Sequence, residues 1–85
     1  MSYGRHELRF LRMFGSRVRH LRLARAWSQE ELAFRSNLHR TYIGAVERGE
    51  RNIAALNLRK LGAAFHIPLS ELFSGVPTLE KGDDK

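Results

Sequence analysis

The run Ser28-Gln-Glu-Glu-Leu-Ala-Phe-Arg-Ser-Asn-Leu-His-Arg-Thr-Tyr-Ile-Gly-Ala-Val-Glu-Arg48 decides the fold. Its first residue is a helix-capping type, with a hydroxyl that can accept from the N–H groups of the following turn while Glu31, three residues on, can reach back. Glu30 and Glu31 suit the positive end of the helix dipole. Ser36-Asn37 is a stop signal, since asparagine tolerates the left-handed backbone of a tight turn. A three-residue turn, Asn37-Leu38-His39, leads into a helix from Arg40 to about Arg48, with Ile43 and Val46 inward and Gly49 beyond its end. Two short helices joined in this way also occur in ordinary helical bundles, so the spacing alone leaves the function open.

Outward from this core, Leu8, Leu11, Phe14, Val18 and Leu21 recur every three or four positions and mark an amphipathic first helix. Gly15-Ser16 interrupts the pattern, so the helix begins either near Leu8 or after the interruption. On the other side a fourth helix opens at Asn52 or Ala54 and runs through Phe65, with Leu56, Leu58, Leu61, Ala64 and Phe65 as its apolar set. Ile67-Pro68 punctuates, and Pro68 fits the first turn of a short fifth helix carrying Leu69, Leu72 and Phe73. No strand pattern appears. The expectation is an all-α domain of five helices over residues 8–75, an N-terminal arm over 1–7 and a disordered tail over 76–85.

Eighty-five residues close one modest core and leave little for a substrate lobe. The absence of cysteine excludes disulfides and thiolate metal sites, and no leader-like apolar run follows a basic start. A cytoplasmic location is expected. The net charge of +6 is uneven: residues 1–60 hold 13 Lys+Arg against 5 Asp+Glu, and residues 61–85 hold 2 against 4. Twelve of the cations are arginine, whose planar fork suits phosphate and guanine edges. A basic surface of no particular function has the same composition, so motifs must decide.

The strings Trp27-Ser-Gln-Glu-Glu-Leu-Ala33, Asn37-Leu-His-Arg-Thr-Tyr-Ile43, Val46-Glu-Arg-Gly49 and Arg51-Asn52 resemble the lambda-repressor-like, or XRE, family of helix-turn-helix regulators. The likeness spans about Phe14 to Phe73. Within the family the run from Ser36 to Arg48 is most similar to controller proteins of restriction-modification systems, with phage-type repressors as close rivals.

The resemblance implies that the third helix enters the DNA major groove with its N-terminal residues nearest the bases. Arg40, Thr41 and His39 are then the candidate base readers, and Ala45 lies with Gly44 on a small groove-facing surface. Arg40 can donate to both acceptors of a guanine, or else contact a phosphate. His39 sits where a cap is usual, so capping competes with reading. Backbone contacts are expected from Ser28, Gln29, Tyr42, Arg48, Arg51, Asn52 and Arg22. For Tyr42 the alternative is packing on the second helix. Arg22 and Glu47 match a family pair that ties the first helix to the recognition helix. Arg17, Arg19, Arg25 and Arg35 read as a solvated basic surface.

One short recognition helix reads few base pairs, so a homodimer on a palindromic operator is expected, with Leu56, Phe65, Leu69, Leu72 and Phe73 as candidate interface residues. Double-stranded DNA is the expected partner, with no cofactor, metal, membrane or small-molecule ligand. His6, His20, His39 and His66 lack zinc-helix spacing, and no phosphate loop or nucleophile motif is present, so catalysis is not expected. An antitoxin or adaptor working through protein contacts is the alternative reading.

Overall fold

The amphipathic segments become five α-helices in a computed structural model, which describes residues 3–77: α1 (Arg5–Ala24), α2 (Gln29–Ser36), α3 (Arg40–Glu47), α4 (Ala55–Phe65) and α5 (Leu69–Leu72). The described residues contain no strand.

α1 settles the choice left open at Gly15-Ser16, because it runs unbroken through both. It also starts at Arg5, inside the span expected to be an arm, where the Glu7 carboxylate accepts from the Gly4 N–H at 2.7 Å. Gly15 serves packing rather than termination. A Cβ there would stand 2.3 Å from the Val46 carbonyl oxygen and 2.6 Å from that of Glu47. The glycine's cost within a helix, about 1 kcal/mol, accompanies a backbone-to-backbone approach of α1 to the last turn of α3 that no other residue permits.

Half of the expected box at the start of α2 is present. Ser28 Oγ accepts from the Glu31 N–H at 3.0 Å, but the Glu31 carboxylate turns to Arg35 Nε at 2.6 Å. Asn37 is left-handed (φ 57°), and Arg48 caps α3 rather than closing its last turn. Gly49 (φ +75°) lies against α1, where an added Cβ would be 2.8 Å from Arg12 Cα. α4 starts behind Ala54 and ends on a left-handed histidine, His66 (φ 60°), while Pro68 stands just before α5 rather than in its first turn.

The core gathers Phe14 and Val18 from α1, Leu32 from α2, Ile43 and Val46 from α3, Leu61 and Phe65 from α4, and Leu72 from α5. Two expectations are corrected by it. Phe65 (1 % exposed) and Leu72 (0 %) are core residues with no surface to offer a second subunit. Val76, expected to open the tail, is buried in the same cluster, and residues 78–85 of that expectation lie outside the described residues. Phe73 is half-buried, its ring 5.0 Å from Phe14 and 6.2 Å from Phe10, which pins the N-terminal half of α1 to α5.

Two of the four arginines expected to be merely solvated instead fasten helix ends. Arg17 donates to the Glu71 carbonyl at 2.8 Å, and Arg25 donates to the carbonyls of Leu21 and Phe65, both at 2.9 Å. Arg25 also lies over the Phe65 ring, and Arg35 lies 4.3 Å over Trp27. Cation over ring is favourable because the ring face is electron-rich. Arg19 is exposed, as expected.

Candidate nucleic-acid interface

The turn from Asn37 to His39 brings α2 against α3 and leaves the first turn of α3 at the surface, where Arg40 and Thr41 are both exposed. His39 is the N-cap: its Nδ1 accepts from the Thr41 N–H at 3.1 Å. With that lone pair occupied, the ring's remaining proton sits on Nε2, so the cap presents one outward N–H donor. Arg40 Nε stands 3.7 Å from Glu30 Oε2, and both side chains are mostly exposed. A pair of this kind contributes little and is readily exchanged for a stronger anion such as phosphate.

Beneath this surface lies a buried polar chain. Arg22 Nε and Nη2 donate to Glu47 Oε2 (2.7 Å) and Oε1 (3.0 Å), and Arg22 Nη1 donates to the Trp27 carbonyl at 2.8 Å. The two side chains are only 9 % and 4 % exposed. Glu47 Oε1 also accepts from Gln29 Nε2 at 3.1 Å. One carboxylate therefore joins the end of α1, the first turn of α2 and the last turn of α3. The family pair is present as expected and it is buried, which corrects the place of Arg22 among the backbone-binding residues. Its guanidinium is enclosed and committed on three nitrogens, so it orients Glu47 and Gln29 instead of meeting a ligand.

The small surface at Gly44-Ala45 is corrected as well. Gly44 is buried, with Arg48 Nη1 and Gln29 Oε1 lying 3.1 and 3.5 Å from where a Cβ would be. Ala45 is 7 % exposed and stands outside the core cluster, so the side chains around it leave little of its methyl at the surface. Gln29 and Arg48 thus converge over Gly44, and its missing side chain lets both lie flat across the helix.

At the other end of the surface, Arg48 Nε pairs with Glu50 at 3.1 Å and Asn52 is exposed. Arg51 lies 5.2 Å over the Tyr42 ring, and the Tyr42 hydroxyl accepts from Asn57 Nδ2 at 3.1 Å. A phenol that accepts still has its own proton to donate. Asn57, on α4, was not singled out in the sequence. It is fifteen residues from its partner, and a polar residue on a polar helix face carries no signal of such a bond.

The exposed set is therefore Ser28, His39, Arg40, Thr41, Arg48, Arg51 and Asn52, with Gln29 and Tyr42 half-buried among them. Hydrogen-bond donors predominate, as an anionic polymer would require. Among the described residues no group of three or more His, Cys, Asp or Glu is placed to hold a metal ion, and no helix is long and apolar enough to cross a membrane.

Residues 18–72 match the Helix-turn-helix family. The chain is similar to Control protein C.BamHI of Bacillus amyloliquefaciens, 44% identical over 61 residues that span 71% of this chain and 75% of that protein. It is also similar to Control protein C.MunI of a Mycoplasma species, at 42% identity over 64 residues, 74% of this chain and 86% of that one. Of solved structures, the restriction-modification controller protein C.AhdI from Aeromonas hydrophila superposes with a TM-score of 0.72 at 52% identity, covering 74% of this chain and 96% of its own.

Proposed function

Because the chain belongs to the helix-turn-helix family, in its XRE-type branch, we propose that it is a DNA-binding transcription regulator of the restriction-modification controller kind, acting as a homodimer on a palindromic operator. Arg40 and Thr41 read base edges in the major groove, Arg40 by a bidentate contact to guanine worth about 1 to 3 kcal/mol of discrimination. Ser28, Gln29, Tyr42, Arg48, Arg51 and Asn52 hold phosphates and fix register. His39 serves first as the cap, with its outward N–H available to the backbone. Leu56 (57 % exposed) and Leu69 (43 % exposed) supply the apolar contact between subunits. No cofactor or covalent chemistry takes part.

The observation that carries this reading is the Arg22–Glu47–Gln29 chain. It fixes α2 against α3 from below and leaves the first turn of α3 exposed above, which is what a rigid reading head needs. Two such heads about 34 Å apart read two half-sites one helical turn apart. Selection of duplexes from a random pool by the purified protein tests the reading. The expected result is enrichment of an inverted repeat with half-sites one turn apart. Recovery of an unenriched pool, at a salt concentration where binding persists, would reject it.

A further inference from the structure

Five positions along α1, Arg5, Arg9, Arg12, Ser16 and Arg19, follow one another at intervals of four, three, four and three residues, and all five are exposed. Such spacing keeps them within a narrow stripe of the helix, away from the face that carries Phe14 and Val18. The first four, with Met13, line a shallow groove of about 380 Å³. Arg12 packs through its backbone and its Cγ on Gly49, the residue between Arg48 and Glu50. The basic stripe is thus continuous with the end of the surface where Arg48 and Arg51 stand. Phe10 stacked on Phe73, and Phe14 tilted against the same ring, hold this half of α1 in place. Most of the stripe precedes residue 18, where the family match begins.

We infer that the stripe is a second phosphate-binding surface, which tracks the DNA backbone outside the half-site read by α3. The inference rests on the DNA-binding reading and goes beyond it. The recognition helix points its N-terminal end at the bases, so its C-terminal end and Gly49 lie toward the flanking backbone, and the middle of the stripe, at Arg12, lies beside them. Its arginines carry no sequence information. They add affinity, salt dependence and a longer footprint.

The test compares wild type with Arg5→Gln/Arg9→Gln/Arg12→Gln, in which helix propensity is kept. Binding is measured against salt on three duplexes: the selected operator trimmed at its edges, the same operator extended by about one helical turn on each side, and a random extended duplex. Each lost phosphate contact lowers the slope of log K against log salt by about 0.9. With three arginines lost from each of the two subunits, the variant should lose about five from the slope on both extended duplexes, so that the wild-type advantage shrinks by a factor on the order of 1,000 between 50 and 200 mM salt. On the trimmed operator the two proteins should bind alike. An unchanged slope on extended duplexes, or an equal loss on the trimmed one, overturns the inference while wild type still prefers operator over random. A wild type with no such preference instead removes the DNA-reading account beneath it. Matching thermal melts for the two proteins, with Arg5→Gln alone giving a proportionally smaller slope change, separate phosphate contact from a disturbed helix.

Discussion

Glu47→Met is the substitution that probes the buried chain most directly. Arg22 would stay in place, 9 % exposed at its side chain, with only the Trp27 carbonyl left as a partner. Removing one member of a buried ion pair costs about 3 to 5 kcal/mol, because the other charge remains desolvated and uncompensated. Small domains hold only about 5 to 15 kcal/mol in all, so the variant loses about a fifth or more of its stability. For a chain of this size that corresponds to a fall in Tm of roughly 12 to 40 °C. The double variant Arg22→Met/Glu47→Met removes both charges together and should recover most of the loss, since a buried pair and an apolar pair of similar volume often differ little. Denaturant unfolding of wild type, both single variants and the double variant closes the cycle. Glu31→Gln, at a pair whose side chains are 44 % and 41 % exposed, is the control and should cost under about 1 kcal/mol. If Glu47→Met behaved like Glu31→Gln, the buried chain would not be the clamp between α1, α2 and α3 described above.

Other positions give independent checks. Gly15→Ala should destabilise the fold by several kcal/mol despite alanine's advantage of about 1 kcal/mol in a helix, because the new methyl meets the backbone oxygens of Val46 and Glu47; stabilisation in a thermal melt would show that contact to be pliable. His66→Gly should raise stability by about 0.5 kcal/mol, since glycine takes the left-handed cap at φ 60° without the strain a side chain brings. Leu56→Lys should weaken self-association in sedimentation while leaving the melt of the isolated domain unchanged; an unaltered dimer would place the interface elsewhere. Ser28→Ala should cost about 1 kcal/mol through the lost cap on the Glu31 N–H, read by denaturant midpoint.

The helices were legible in the sequence because their signals are local. Ser28 acts within a few residues of itself through its hydroxyl, and Asn37 and Gly49 through the left-handed backbone they tolerate, and the structure uses each as its type predicts. Gly15 was ambiguous for the opposite reason. Its role depends on Val46 and Glu47, more than thirty residues away, and a helix breaker and a close-packing glycine look the same in one dimension. His66 and Ala26 occupy left-handed backbone without any residue type that announces it.

The surface divided along similar lines. Exposure of Arg40, Thr41, Arg48, Arg51 and Asn52 follows from their place on or beside α3. Ala45 and Gly44 were misread because a small residue on a presumed outer face looks exposed until the long side chains around it are placed. Arg22, Arg17 and Arg25 were misjudged by charge, since an arginine with a buried carboxylate or a carbonyl within reach has the same letter as one in water. Phe65 and Leu72 could not be assigned between core and interface by pattern, because both uses require the same apolar spacing.

The central claim is that the first turn of α3 reads base sequence. It is tested most directly by titrating wild type and Arg40→Ala at one fixed salt concentration against the selected operator and a panel of its single-base-pair changes. Wild type should discriminate at one G·C pair by about 1 to 3 kcal/mol, and Arg40→Ala should lose this preference at that position alone. A uniform loss of affinity across the whole panel, with every preference intact, would make Arg40 a phosphate contact and contradict the claim.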